Sequence, residues 1–166
     1  MVLDLRELFE LVDSRQPVDC ELDLRGYELN GGHPFITPIQ IKGIVKNVAG
    51  VVTLEYSVSF EMQLSCDRCL KEFKRCFSED FYHILVNRLE SEDDLYGDYI
   101  VVEDSLLNMD ELVVSDVVLM LPTKNLCSDD CKGLCSQCGK DLNQGDCGCT
   151  EPKGDSRFDV LKQLLT

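Results

Sequence analysis

The 166-residue chain has no apolar run of 18 or more residues, which argues against a membrane-spanning helix. Its first ten residues interleave charged and apolar side chains, a pattern unlike that of a secretory signal peptide. We therefore expect a cytoplasmic protein with no membrane partner. In that compartment thiols are kept reduced, which disfavours disulfides.

The sequence also lacks the short motifs of common enzyme classes. It contains no phosphate-binding loop, no dinucleotide-binding glycine motif and no H-E-x-x-H motif. Its two histidines, His33 and His83, are single and have no arrangement around them that indicates catalysis. These absences predict a protein that is not an enzyme and has no small-molecule substrate.

Basic charge is scarce, since 16 Lys and Arg face 31 Asp and Glu, for a net charge of −15. This balance argues against broad, unspecific binding along nucleic acid. The distribution is uneven, however. Residues 42–75 contain six Lys or Arg and four acids, whereas residues 79–116 contain twelve acids and one Arg. The first segment predicts a locally basic surface. The second predicts an acidic surface that either aids solubility or suits a basic protein partner.

Alternation of apolar and polar residues predicts a β-sheet. Residues 51–64 alternate throughout, which indicates one long strand with a dry face and a wet face. Such alternation is typical of antiparallel sheets, because parallel strands tend to be buried on both faces. Weaker patterns predict further strands at 18–24, 37–48, 73–86 and 99–102.

Three segments have helical apolar spacing. The first, around residues 5–12, is predicted to end before Pro17, and the second spans 108–121 between a capping Asn108 and Pro122. The third spans 155–165. The fold class predicted from these patterns is α+β, with an antiparallel β-sheet or partial barrel, flanking helices and a small C-terminal zinc-knuckle module. The predicted domains are a sheet domain at 1–122 and a cysteine-rich module at 123–166.

Six of the ten cysteines lie within 23 residues near the C-terminus, with the spacing C-x3-C-x3-C-x2-C-x8-C-x-C. The turn Cys135-Ser-Gln-Cys138-Gly is typical of a zinc knuckle, in which glycine permits a tight turn and backbone N–H groups face the thiolates. Together with Cys147 and Cys149, it predicts a structural Zn²⁺ site with four thiolate ligands. An iron–sulfur centre could use the same ligands, and free thiols would be prone to oxidation.

A second site is predicted from two half-sites. Cys66 and Cys69 lie in a C-x2-C turn between two predicted strands, and Cys127 and Cys131 remain unassigned in the C-terminal run. Joining the pairs gives a second four-cysteine zinc site. The alternatives are an unmetallated pair or another partition of the C-terminal cysteines. A thiol redox enzyme or sensor using Cys66 and Cys69 is the alternative function, although a redox C-x2-C motif normally opens a helix.

Four cations flank the same predicted hairpin tip, with phenylalanines interleaved: Arg68, Lys71, Lys74 and Arg75. Cations and aromatic rings on a protruding hairpin can bind RNA phosphates and stack on bases. The set therefore predicts an RNA-binding surface. The alternative is that the phenylalanines belong to the core and the cations are solvated.

An ordered set of motifs runs along nearly the whole chain. These are Cys66-Asp-Arg-Cys69-Leu70, Leu121-Pro122, the run from Leu126 to Gly139, Asp141-Leu142-Asn143, and Asp155-Ser156-Arg157-Phe158 with Leu161. In these residues the chain resembles the YceD family, the large ribosomal RNA subunit accumulation proteins of bacteria and plastids. The resemblance implies a cytoplasmic, non-catalytic factor for accumulation or processing of large-subunit ribosomal RNA and for ribosome assembly. Such a factor would bind precursor RNA or a basic ribosomal protein.

Overall fold

The computed structural model describes residues 1–88 and 99–149. The elements in chain order are β1 (Val2–Asp4), α1 (Arg6–Glu10), β2 (Arg15–Leu22), β3 (Ile39–Val48), β4 (Val51–Ser65), β5 (Glu72–Val86), β6 (Tyr99–Val101), β7 (Leu106–Asn108) and α2 (Met109–Met120). Residues 90–98 of the acidic segment, which the sequence predicts to be a loop, and the helix predicted at 155–165 lie outside the described residues. Within the described residues, no helix has the length and apolar character needed to cross a membrane.

Five of the strands form one sheet in the order β2-β3-β4-β5-β6, and β1 and β7 form a second, two-stranded antiparallel sheet. Strand β3 is antiparallel to both β2 and β4. The predicted α+β class is thus confirmed, and the strands of the described residues form an open sheet rather than a closed barrel. Strand β6 departs from the antiparallel pattern because it runs parallel to β5. A parallel neighbour requires a connection of about a dozen residues, and residues 87–98 separate the two strands.

The long strand β4 has the two faces that its alternation predicts. Its even-numbered side chains from Val52 to Met62 are at most 5% exposed, whereas Ser59 on the other face is exposed. Gly43 on β3 lies opposite Tyr56, and a Cβ atom at Gly43 would lie 2.4 Å from the Cβ of Tyr56. The tyrosine therefore occupies the space that a larger residue on β3 would need.

The helices agree with the sequence in position but differ in length. Helix α1 has only five residues, because Val2–Asp4 pair with β7 as a strand and the helix ends at Glu10. Pro17 lies within β2, at the edge of the sheet, where a missing N–H group is tolerated. Helix α2 begins after Asn108 as predicted, although the Asn108 side chain makes no capping hydrogen bond.

The chain divides into two compact units. The first comprises Met1–Leu64 and Phe73–Thr123, and the second comprises Ser65–Glu72 and Lys124–Thr166. All residues of the hydrophobic core cluster belong to the first unit. In the described part of the second unit, the buried residues are three cysteines and a glycine: Cys66, Cys69, Cys131 and Gly133. The second unit therefore has no buried aliphatic or aromatic side chain among its described residues.

Candidate metal centres

The first cysteine cluster, here called the buried cluster, consists of Cys66, Cys69, Cys127 and Cys131. Its four Sγ atoms lie within 4.8 Å of one another. The Sγ atoms of Cys66 and Cys131 are 3.8 Å apart, and those of Cys69 and Cys127 are 3.6 Å apart. These distances are too long for a disulfide, whose S–S bond is about 2.05 Å. They match the edge of about 3.8 Å expected for a tetrahedral ion with metal–sulfur bonds of about 2.3 Å.

The second cluster, here called the exposed cluster, consists of Cys135, Cys138, Cys147 and Cys149. Its Sγ atoms also lie within 4.8 Å of one another, and those of Cys135 and Cys147 are 3.4 Å apart. Cys138 and Cys149 are exposed, in contrast to the buried Cys66 and Cys131. The structure thus assembles the eight predicted cysteines in the predicted groups of four. Each group could hold one metal ion.

The two C-x2-C turns have the same backbone hydrogen bonds. In the buried cluster, the N–H of Cys66 donates to Lys71 O at 2.9 Å, and the N–H of Leu70 donates to Cys66 O at 2.8 Å. In the exposed cluster, the N–H of Cys135 donates to Lys140 O at 2.8 Å, and the N–H of Gly139 donates to Cys135 O at 2.9 Å. The shared pattern C-x-x-C-x-K is a short repeat that sequence reasoning missed.

Backbone N–H groups favour a thiolate at the first cysteine of each turn. Hydrogen bonds from the N–H groups of Cys138 and Gln137 lower the pKa of Cys135 to about 6. Burial disfavours the thiolate of Cys66 and so raises its pKa. Hydrogen bonds from the N–H groups of Cys127, Cys69 and Arg68 outweigh burial, and the Cys66 pKa falls to about 6.

The last cysteine of the exposed cluster behaves in the opposite way. Hydrogen bonds with the sulfurs of Cys138 and Cys147 raise the pKa of Cys149 to about 12. Four neighbouring thiols do not all ionise together at neutral pH, because their negative charges repel. A bound cation removes this obstacle, and metal binding then releases the remaining protons.

Asn143 connects the loop of the exposed cluster to a sulfur of the buried cluster. Its Nδ2 donates to the Sγ of Cys131 at 3.5 Å, and its Oδ1 accepts from the N–H of Lys132 at 2.8 Å. The carboxylate of Asp141 fixes this side chain by accepting from Asn143 Nδ2 at 2.7 Å. An N–H donor to a ligand sulfur orients that ligand and tunes its charge.

Gly133 allows the segment before the exposed cluster to approach the first turn closely. Its φ is +77°, and a Cβ at this position would lie 3.0 Å from the carbonyl oxygen of Arg68. The next residue, Leu134, donates its N–H to that same carbonyl at 3.1 Å. A side chain at Gly133 would therefore disturb the turn that carries Cys66 and Cys69.

The four cations assigned to RNA binding have different surroundings. The guanidinium of Arg68 donates to the carbonyl of Cys131 at 2.7 Å, so Arg68 also braces the buried cluster. The guanidinium of Arg75 lies 5.5 Å from the ring centroid of Phe77, a core residue of the first unit. Lys71 and Lys74 are exposed. The alternative that the phenylalanines are core residues thus holds for Phe77.

His83 has a carboxylate partner that its sequence neighbours did not reveal. Its Nε2 lies 2.7 Å from Asp116 Oδ2, and the Tyr56 hydroxyl donates to the same oxygen. Burial and this hydrogen bond raise the pKa of Tyr56. The three side chains come from β4, β5 and α2, so no local pattern could have indicated the contact. They form a polar link within the first unit.

Comparison with known proteins identifies the family. Residues 54–165 match the family described as large ribosomal RNA subunit accumulation protein YceD. The chain is 27% identical over 143 residues to the uncharacterized protein YlbN of Bacillus subtilis (strain 168), covering 83% of this chain and 80% of that protein. It is 26% identical over 110 residues to the uncharacterized protein ML1660 of Mycobacterium leprae (strain TN), covering 63% of this chain and 49% of that protein.

No solved structure is significantly similar to the chain. The family match covers more than half of the chain and includes both cysteine clusters, so the chain belongs to the YceD family. The family name connects the chain to accumulation of large-subunit ribosomal RNA.

Proposed function

We propose that this protein is a non-catalytic, cytoplasmic factor for accumulation of large-subunit ribosomal RNA, and that it binds precursor RNA. We further propose that its second unit is a module held together by two zinc ions. The family description supports the first statement. The second is supported by one observation above all: the only buried side chains in the described part of the second unit are cysteines.

Each ion in this proposal has four cysteine ligands. Cys66, Cys69, Cys127 and Cys131 would hold one, and Cys135, Cys138, Cys147 and Cys149 the other. The sulfur separations of 3.4, 3.6 and 3.8 Å suit a single tetrahedral ion. In a multi-iron cluster some of the cysteine sulfurs bind different irons and therefore lie farther apart than the 4.8 Å limit that holds for every sulfur pair in each group. Zn²⁺ is the usual ion in closed four-thiolate sites, where it stabilises the fold.

A redox role for the first C-x2-C turn has weaker support. Cys66 is 0% exposed and Cys69 is 8% exposed, whereas a thiol that exchanges with a substrate must be reachable. The residues after Cys69 enter β5 at Glu72, so this C-x2-C turn leads into a strand and does not open a helix. The first turn therefore lacks the surroundings of a thioredoxin-type centre.

RNA binding is proposed through the cations at the end of the β4–β5 hairpin. Lys71 and Lys74 have exposed side chains and can contact phosphates. Arg68 and Lys71 belong to the second unit and Lys74 and Arg75 to the first, and each pair is proposed to contact RNA from its own unit. Arg68 and Arg75 each also have an internal contact, so replacing either would confound a binding experiment. The net charge of −15 means that this binding is local rather than spread over the protein.

The experiment compares two variants of equal charge. Lys71→Ser with Lys74→Ser removes one of the proposed RNA-binding lysines from each unit. Lys42→Ser with Lys132→Ser removes one exposed lysine from each unit elsewhere. Binding to single-stranded fragments of large-subunit ribosomal RNA is measured between low and moderate salt. Each lost phosphate contact should reduce the slope of log affinity against log salt by about 0.7, so the first variant should lose about 1.4.

The control variant should keep the slope of the unchanged protein. The proposal is wrong if the unchanged protein binds no RNA, or if both variants lose the same slope. Metal content is measured for both variants and should be unchanged, since neither change replaces a cysteine and the backbone N–H of residue 71, which bonds to the Cys69 sulfur, remains in serine.

A further inference from the structure

The two C-x2-C turns differ at one position that matters for the backbone. The residue after the second cysteine has a positive φ in both turns, +58° for Leu70 and +73° for Gly139. Glycine adopts this conformation without steric strain, because it has no Cβ. Gly139 shows that glycine serves this position in a turn with the same hydrogen bonds.

Leucine at position 70 is unfavourable for two reasons. A left-handed conformation is strained for an L-residue, because its Cβ lies too close to the following carbonyl oxygen. The side chain is also 68% exposed, so its packing within the described residues offsets little of the backbone strain. Sparsely populated backbone conformations persist only where the surrounding structure enforces them, and they cluster at ligand-binding sites.

The neighbours of Leu70 indicate the chemistry of a partner. Arg68 and Lys71 are exposed cations in the same turn, and Arg68 carries four N–H donors besides the one that binds Cys131 O. The carboxylate of Asp67 accepts from the backbone N–H of Asn125 at 2.6 Å, which directs this acid to the protein's own backbone. An apolar side chain between two cations suits a partner with apolar faces between negative charges.

Single-stranded RNA has this composition, since unstacked bases alternate with phosphates along the chain. We propose that Leu70 is a base-contacting residue of the RNA site, with its side chain against an unstacked base while Arg68 and Lys71 bind the flanking phosphates. This proposal rests on the RNA-binding function proposed above. It adds an apolar contact to a surface that would otherwise act only through charge.

The first test is Leu70→Gly in the full-length protein. The variant should be as stable as the unchanged protein or more stable, and it should keep its metal content, because glycine relieves the backbone strain. Its affinity for single-stranded fragments of large-subunit ribosomal RNA should fall about tenfold, the loss expected when one partly buried leucine contact disappears. The salt slope should stay unchanged, since no phosphate contact is removed.

Leu119 provides the matched control. It is 80% exposed and lies within α2, where its backbone has the ordinary helical conformation. Leu119→Ala should leave RNA affinity unchanged. If the unchanged protein binds RNA and Leu70→Gly binds equally well, this inference fails while the proposed function stands. If the unchanged protein binds no RNA at all, both fail.

A second test identifies the partner class directly. The photo-crosslinking residue benzoylphenylalanine is placed at position 70 or at position 119, and cells are irradiated. Position 70 should give a product that ribonuclease removes and that position 119 does not give. A product made of a second protein, or equal products at the two positions, would overturn the proposal.

Discussion

The two units of this chain differ in what their described residues bury. The first unit buries a cluster of aliphatic and aromatic side chains between the five-stranded sheet and its helices. The described part of the second unit buries only cysteines and one glycine, and arranges eight thiols in two groups. The described residues of the second unit therefore have no buried apolar core, and a metal ion shared by each group of thiols is the proposed substitute.

The clearest way to separate the two units is to remove metal. Treatment with a strong chelator should unfold the second unit, because four-thiolate zinc sites contribute on the order of 10 kcal/mol or more to folding. Limited proteolysis should then cut within residues 124–149 and leave the first unit intact. Persistence of a protected second unit after metal removal would contradict the proposed role of the metal.

The converse experiment attacks the apolar core. Phe60→Asp places a carboxylate at a position that is 5% exposed, at a cost of several kcal/mol, and should unfold the first unit. Ser59→Asp introduces the same side chain one residue away on the exposed face and should have little effect. Urea unfolding measures both. Equal losses would show that β4 does not have one buried face.

A smaller effect is expected from the amide that contacts the buried cluster. Asn143→Ala removes the donor to the Cys131 sulfur and should weaken metal binding at that cluster by roughly 10- to 100-fold. Gln144→Ala is the control, because Gln144 donates to Asp141 and not to a sulfur. Competition with a metal indicator gives the affinities. Equal affinities for the two variants would show that Asn143 does not position the ligand.

The smallest effect concerns the polar link in the first unit. Tyr56→Phe removes the hydrogen bond to Asp116 and should cost about 1 kcal/mol, since the carboxylate keeps its contact with His83. Tyr82→Phe, at a tyrosine that is 57% exposed, should be neutral. A loss of several kcal/mol from Tyr56→Phe would mean that the polar link, and not apolar burial, dominates this unit.

The sequence predicted best those features that repeat locally. The alternation of apolar and polar residues predicted which face of β4 is buried, and the spacing of the cysteines indicated the two groups of four. The strands β1 and β7 were missed, because three-residue strands have no measurable period. The parallel pairing of β6 was also missed, since pairing direction depends on the connection.

Apart from the grouping of the cysteines, the contacts between distant residues were not predicted. Asn143 lies 12 residues from Cys131, and Asp116 lies 33 residues from His83. Each contact depends on how the chain turns between the two residues, and no local period encodes it. The positive φ of Leu70 was also missed. Glycine is the residue expected at such a position, as at Gly139, whereas a leucine gives no sign of it in the sequence.

The most direct test of the account is the metal content of the intact protein by native mass spectrometry. Two zinc ions per chain are expected, and one zinc ion in Cys138→Ser, which removes a ligand from the exposed cluster. This variant should keep the ion of the buried cluster after brief exposure to a chelator. A chain purified without metal, or with a multi-iron cluster in place of single ions, would contradict the account.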